Sequence, residues 1–428
     1  VFPILRPVWS LVGVTAELAA ATAPRGHAKW QRTLAARHRI AERYRAFASQ
    51  RDADRPLVWM HAPSVGEGLQ ALPVVKRLQA APTPPQIAVT WFSPSAEAFG
   101  AKFNADFSDY LPFDTARGAA LALDALRPSA LVYSKLDVWP VLTTTAAARH
   151  VPLGMIAATL REGSGRSGTI ARALLYEAYA ALDLVGAISA DDAERLVDLG
   201  VRRSAIRVTG DSRYDQVWER TQCPPADAPW RLGLSDGRPT LVAGSTWPSD
   251  EAVLLPAWRA LRRSVPAARL VIAPHEPTPG HLAPIWQWAE SGGFTAAALD
   301  QPGAARADVV IVDRVGVLGD LYGVATAAFV GGGFHDAGLH SVLEPAAFGA
   351  PVLFGPQHRG NRDAVRLLDA HGAVAVADAA AAVAALGQWL GDPAAARDSG
   401  AAAQRVVASE LGAADRAFGL VQELLGRS

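Results

Sequence analysis

The hydrophobic positions of this chain fall into short runs that recur at a steady interval. Leu57–His61 reads LVWMH, and a helical pattern follows from Glu67 to Ala80. Further runs of strand length lie at 87–92, 110–113, 130–134, 151–157, 182–188 and 206–210, with a helical stretch at 190–199. A near-continuous apolar run bounded by turn residues is what a strand buried on both faces requires. Alternation of such runs with helical stretches predicts a parallel sheet covered by helices on either side.

At 221–239 the composition changes. Pro224, Pro225, Pro229, Gly233, Gly237 and Pro239 crowd together and read as a linker. The rhythm then restarts, with strands predicted at 240–243, 270–273, 309–312 and 327–330, and helices at 249–264, 284–291 and 315–322. The densest segment follows. Ala327–Val330 runs into Gly331–Gly333, which predicts bare backbone N–H groups at a sheet edge, open to a ligand. His340, Ser341 and Glu344 open a predicted helix with Val342, Leu343, Ala346, Ala347 and Phe348 on its apolar positions. Gly349 ends that helix, and Pro351–Phe354 returns as a strand. A strand at 373–376 and alanine-rich helices at 379–390 and 393–425 complete the chain. The fold class expected is α/β, two doubly wound halves with a ligand cleft between them.

Totals refine this picture. A chain of 428 residues suits two domains. Lys+Arg and Asp+Glu both number 41, so overall charge argues for no nucleic-acid partner. The single cysteine, Cys223, excludes an internal disulfide and a cysteine zinc cage. Near the start, the apolar stretch Val8–Ala23 is interrupted by Glu17 and falls short of the roughly 20 residues of a spanning helix. A basic segment follows, with Arg25, Lys29, Arg32, Arg37, Arg39, Arg43, Arg45 and Arg51 against Glu42, and with Trp30, Tyr44 and Phe47 interleaved. Apolar and basic stretches side by side suit anionic headgroups, so 1–51 is expected to associate with a membrane surface. The domain division expected is then 52–220, a linker at 221–239, and 240–428, with the last helix packing back on the first domain.

Candidate chemistry lies at the carboxyl ends of the predicted strands. Glu67, in the first turn of a helix, is favoured as an anion and can accept a proton from a hydroxyl; the same position suits a carboxylate that only steadies the helix. Lys135 and Asp137 follow the strand at 131–133, as ligand contacts or as an ion pair bracing the loop. Ser245 and Thr246 leave another strand end and can bind a phosphate or cap a helix. Pro274-His275 closes the next strand, and Gly316–Gly319 offers a glycine-containing helix start. No G-x-x-x-x-G-K-[ST] is present, the glycines at 331–333 lack the rest of a dinucleotide fingerprint, and His335, His340 and Glu344 lack a partner cluster at metal-ligand spacing, so no metal and no cofactor is expected.

Taken in order, these pieces resemble the 3-deoxy-D-manno-octulosonic acid (Kdo) transferases of lipid A and lipopolysaccharide synthesis. His61-Ala-Pro-Ser-Val-Gly-Glu67 is similar to the family's H-x-x-S-V-G-E. Lys135-Leu-Asp-Val-Trp-Pro140 is similar to its acidic-x-Trp-Pro segment, and Gly210-Asp-Ser-Arg-Tyr-Asp215 to its G-[ND]-x-[KR]-[FY]-D. Ala243–Thr246 and Ala273–His275 resemble its nucleotide-side loops, and Leu339–Pro345 and Pro351–Pro356 its H-N-x-[LI]-E-x and P-V-x-x-G-P segments. Ser341 stands where the family has Asn, Asp137 where it often has Glu, and no basic residue immediately precedes Ser164.

The resemblance implies a GT-B fold of two Rossmann-like domains facing a cleft. It implies an inverting, metal-independent transfer of Kdo from CMP-Kdo to the glucosamine disaccharide of a lipid A precursor, at the cytoplasmic face of the inner membrane. It implies Glu67 as general base with Asp137 beside it, and Ser64, Gly66 and Lys135 near the acceptor. Ser245, Thr246, Pro274, His275, Gly316, Val317, Leu318, Gly319, His340, Ser341 and Glu344 would hold the donor, Glu344 on the ribose. The alternatives are another GT-B glycosyltransferase or a nucleotide-sugar epimerase with a different donor, and a silent membrane-bound nucleotide-sugar or lipid binder.

Overall fold

All five residues of β1 (Leu57–His61) are buried, and around this strand the first of two parallel sheets is built. The computed structural model describes residues 13, 15, 29–160, 164–223 and 229–427. The chain divides into two compact units. The first runs to Gln216 and takes back the chain from Leu411 onward; the second is Val217–Glu410.

In the first unit β2 (Gln86–Trp91), β3 (Phe107–Tyr110), β4 (Ala130–Ser134), β5 (Leu153–Ala158), β6 (Leu184–Ala187) and β7 (Ile206–Val208) join β1 in the order β3-β2-β1-β4-β5-β6-β7. Every pairing is parallel, with Trp59 beside Ala88 on one side and Leu131 on the other. Strand order reverses between β1 and β4, and such a switch point opens a crevice at the carboxyl ends of the strands.

The second unit repeats the plan. β8 (Thr240–Thr246), β9 (Arg269–Pro274), β10 (Ala296–Ala298), β11 (Val309–Ile311), β12 (Ala327–Val330), β13 (Val352–Phe354) and β14 (Ala373–Ala375) lie in the order β10-β11-β9-β8-β12-β13-β14. Its switch point falls between β8 and β12, which pair in parallel from Leu241–Ala327 to Gly244–Val330.

The helix Ala413–Leu425 belongs to the first unit. Ala417, Leu420, Val421 and Leu424 join Val132, Ile156 and Leu184 in one core cluster. Burying each of the larger side chains contributes roughly 2 kcal/mol. Gly154 makes room for this helix, because a Cβ there would stand 2.3 Å from Leu424 Cδ1. Asp215 accepts the N–H groups of Gly412 at 2.7 Å and Ala414 at 2.9 Å, satisfying donors that a helix start leaves open.

Several boundaries differ from the sequence expectation for physical reasons. β3 lies at 107–110 and not at 110–113; its ladder ends where Leu111 N donates to Trp91 O, and Pro112 has no N–H to continue it. The helix expected over 315–322 shrinks to Leu318–Leu321, since Gly316 takes a φ of +93°. The helix expected over 393–425 breaks into Pro393–Ala408 and Ala413–Leu425 at Gly412, φ +86°. The stretch 221–239 is not simple linker. The units part between Gln216 and Val217, inside the helix Ser212–Gln222, and Trp230 and Leu234 lie in the core of the second unit.

Among the described residues no helix is long and apolar enough to cross a membrane. Most of 1–28 lies outside the described residues. Within the basic segment, Arg37 is buried beneath the rings of Phe92, Tyr110 and Phe113 and donates to Leu111 O at 2.8 Å. Burial pushes its pKa down to about 10. Arg43 pairs with Asp109 at 2.6 Å. These two cations brace the fold, while Trp30, Arg32, Arg39 and Arg45 are exposed.

Candidate functional site

Glu67 is the third residue of the helix Val65–Gln79, which leaves β1 at the first unit's switch point. The residue is 8 % exposed. Ser64, at the N-cap, turns its hydroxyl onto Oε2, and Lys135 Nζ approaches Oε1 at 3.1 Å. Lys135 sits at the end of β4 with a φ of +71°, a left-handed conformation rare for a side chain of this kind. Ser134 fixes the same corner by donating to the Glu67 carbonyl at 2.8 Å. Burial alone would raise the Glu67 pKa, but the Ser64 hydrogen bond and the Lys135 charge outweigh it and hold the group below its ordinary value. A carboxylate so held is ionised at neutral pH. Gly66 is exposed beside it, and a Cβ there would meet only Ser64 Oγ, at 3.8 Å.

His61, which opens the same motif, is a structural residue. Trp139 Nε1 donates to its Nε2 at 2.7 Å, so the proton is on Nδ1, which meets Thr90 Oγ1 at 2.9 Å. Burial, with the Arg37 charge acting the same way, pushes its pKa down to about 3 and keeps the ring neutral. Asp137 has a partner absent from the sequence expectation: Arg166 binds its Oδ1 and also donates to Leu136 O at 2.9 Å.

At the second unit's switch point the three glycines have a different purpose from the one expected. Gly331 N donates to Gly244 O at 2.9 Å, and Gly332 N and Phe334 N donate to the buried Asp250 at 2.8 and 3.1 Å. These amides are engaged. The glycines are needed for space: a Cβ on Gly331 would lie 2.1 Å from Ser245 O, and one on Gly333 2.4 Å from Gly355 N. Two strand ends therefore pack backbone against backbone, with Asp250 as the clamp.

That packing brings β8, β9 and β12 residues together. Ser245 has a φ of +54° at a register shift between β8 and β9. Thr246 faces inward, fully buried, and its hydroxyl donates to Glu251 at 2.8 Å, so it supports the loop and does not project from it. Pro274 is the buried end of β9, and His275 beyond it is exposed. Trp247 stacks on His275 at 4.6 Å and on His335 at 4.2 Å, and its Nε1 donates to His340 Nε2 at 3.1 Å. His340 and the exposed Ser341 precede the helix Leu343–Ala347 and do not lie in it.

Glu344, in that helix, takes Arg220 Nη1 at 3.4 Å, and Arg220 Nε also faces Asp320 at 3.4 Å. Burial raises the Glu344 pKa above its ordinary value; Arg220 opposes this and Asp320 adds to it. Gly319 lets the guanidinium in, since a Cβ there would stand 1.7 Å from Arg220 Nη1. Gly316 is exposed beside this cluster, while Val317 and Leu318 are half-buried against the core of the unit, Leu318 near Gly244. Among the described residues no group of three or more His, Cys, Asp or Glu side chains is placed to hold a metal ion.

The sequence profile of 3-deoxy-D-manno-octulosonic-acid transferase (kdotransferase) matches residues 38–216. A 3-deoxy-D-manno-octulosonic acid transferase of Bordetella pertussis is 30% identical over 380 residues, covering 86% of this chain and 87% of that protein. The chain belongs to the 3-deoxy-D-manno-octulosonic acid transferase family. It is therefore a glycosyltransferase. The Haemophilus influenzae protein of the same name is 27% identical over 321 residues, 74% of this chain and 75% of the relative. The crystal structure of UDP-GlcNAc 2-epimerase from Neisseria meningitidis bound to UDP-GlcNAc shares the fold, with a TM-score of 0.62 at 15% identity over 87% of this chain and 100% of that one. The GT-B class expected from the sequence is borne out.

Within this Kdo transferase family frame, four residues carry contacts that sequence reasoning missed: Arg166, Arg220, Trp247 and His335. The arginines gave no local signal, because their partners are distant in the chain. Trp247 and His335 were visible in principle, since each follows a central strand of the second sheet directly or within a few residues.

Proposed function

We propose that this enzyme is an inverting transferase that moves Kdo from CMP-Kdo to the glucosamine disaccharide of a lipid A precursor, with Glu67 as the general base. The observation that carries the reading is the Glu67 carboxylate itself. It is buried, held ionised by Ser64 and Lys135, and set at the switch point of its sheet. The acceptor's primary hydroxyl gives its proton to Glu67 as its oxygen bonds to the anomeric carbon of Kdo. The bond from that carbon to the phosphate breaks with its electron pair, and CMP leaves. Lys135 orients the carboxylate, and its ammonium also suits a negatively charged group on either substrate.

The second unit takes the donor. Glu344 is positioned by Arg220 to accept from ribose hydroxyls, and His275, Ser245 and His340 stand at the strand ends where the phosphate of a nucleotide sugar binds in sheets of this kind. The start of the chain associates with the anionic surface of the cytoplasmic face of the inner membrane, supported by the exposed Trp30, Arg32, Arg39 and Arg45. The direct test is mass spectrometry of products from CMP-Kdo and a tetraacyl lipid A precursor. Addition of Kdo by the native enzyme, and its absence with Glu67→Gln that still binds CMP, is the expected result. Transfer only from a UDP-sugar, or normal turnover by Glu67→Gln, sinks the reading.

A further inference from the structure

Trp247 is the hub of a four-ring stack that the chemistry of Glu67 does not use. His335 lies on the indole with planes 8° from parallel at 4.2 Å. His275 also stacks on the indole, at 4.6 Å, and His340 stacks on His275 at 4.5 Å. Two of the three imidazoles are fixed as acceptors. The indole N–H donates to His340 Nε2 at 3.1 Å, and the Ala337 N–H donates to His335 Nδ1 at 3.0 Å. A ring nitrogen that accepts from an N–H donor cannot also carry a proton, so charging either ring breaks its bond. His275 is placed differently. It is exposed at the carboxyl end of β9, with its backbone N–H on Thr246 O at 2.9 Å and an indole face alongside. A cation against an indole face is favoured by the ring quadrupole.

The charges around the stack come from each neighbouring element. Asp250, on the helix Pro248–Leu261, accepts from Trp247, Gly332 and Phe334 backbone N–H groups. Glu251 on the same helix is occupied by Thr246 and His281. Glu276 follows His275 in the chain, and Asp336 follows His335.

We propose that His275 is the proton-taking residue of the donor half-site: it meets the donor's phosphate as an imidazolium stacked on Trp247, while His335 and His340 stay neutral. This rests on the reading of the second unit as the CMP-sugar site. When the anomeric carbon–oxygen bond breaks, its electron pair goes to the phosphate oxygen, and CMP gains one negative charge. The imidazolium balances that charge, and the acceptor's proton goes separately to Glu67. Burial is the main cause that holds His340 below its ordinary pKa, with Asp250 opposing it. Imidazole suits this task because its charge is reversible near neutral pH.

The test is isothermal titration of the full chain with cytidine 5'-monophosphate in buffers of differing ionisation enthalpy. Expected is uptake of about half to one proton per CMP, with affinity weakening by up to about tenfold per unit of rising pH. His275→Gln, an exposed position, is expected to bind CMP about tenfold more weakly and without buffer dependence. His335→Gln is expected to keep the proton uptake. Binding by the native enzyme without buffer dependence overturns the proposal, and so does uptake that persists in His275→Gln, because the proton then resides on another group. Absence of any CMP binding overturns the reading of this unit as the CMP site, and the proposal with it.

Discussion

Glu67 and Glu344 occupy corresponding places, each in the first turn of a helix that follows a central strand of its sheet, yet their surroundings drive them in opposite directions. Glu67 has a hydroxyl on one oxygen and an ammonium on the other, and its pKa falls. Glu344 has one guanidinium at 3.4 Å, which it shares with Asp320, and burial raises its pKa. Helix position is common to both, so it does not decide the outcome. The number and closeness of partners does. One carboxylate is stabilised as an anion by two close partners; the other has a single shared cation and is less favoured in its charged form.

The largest expected effect breaks the first half of this comparison. Glu67→Gln removes the proton acceptor but keeps shape, and kcat is expected to fall by about 10²–10⁴-fold with CMP affinity unchanged in titration. A smaller effect tests the other half. Glu344→Gln is expected to raise the donor KM by about tenfold with kcat little changed, since a charge-assisted hydrogen bond becomes an ordinary one. It is also expected to raise Tm by about 2 °C at neutral pH. The folded Glu344 has a raised pKa, so the folded state holds its proton more tightly than the unfolded chain does. Keeping it ionised destabilises the fold above the ordinary carboxyl range, and that penalty fades as pH falls through and below it. The stability gain should therefore vanish in acid. A KM change in Glu67→Gln, or a kcat collapse in Glu344→Gln, would reverse the assignment of roles.

The strands at both switch points were legible because strands buried on both faces leave continuous apolar runs; Leu57–His61, Ala130–Ser134 and Ala327–Val330 lie where the pattern placed them. Glu67 was legible because a helix start is a local event. Arg166 and Arg220 were not, since each meets its carboxylate across a fold, 29 and 124 residues away in sequence. Gly331–Gly333 were recognised as special for the wrong reason. Sequence shows that a Cβ is unwelcome; only packing shows that Ser245, Gly338 and Gly355 fill the space, that Gly331 N donates to Gly244 O and that Asp250 takes the Gly332 amide. The ring stack had a signal that could have been used. Trp247, His275 and His335 follow β8, β9 and β12, three adjacent strands of a parallel sheet, so their loops emerge on one edge side by side.

The finest test separates the two groups that hold Glu67 ionised. Lys135→Met removes a charge and a hydrogen bond together, and the acid limb of the kcat/KM profile is expected to move up by about one pH unit, whatever the change in its plateau. Ser64→Ala removes only the hydrogen bond, and a shift of about half a unit is expected. The sign is the same in both, because each partner favours the charged carboxylate and its loss lets burial raise the pKa. Salt distinguishes them. The Lys135 side chain is 41% exposed, so its effect is screened, and the gap between native and Lys135→Met profiles should narrow as ionic strength rises. The gap for Ser64→Ala should persist, since a direct hydrogen bond from a neutral hydroxyl is little affected by screening. If neither substitution moves the acid limb, the titrating group of the free enzyme is not Glu67. If both move it and only the lysine's share responds to salt, the contrast with Glu344 comes down to its partners: a hydroxyl and a close cation against a single shared one.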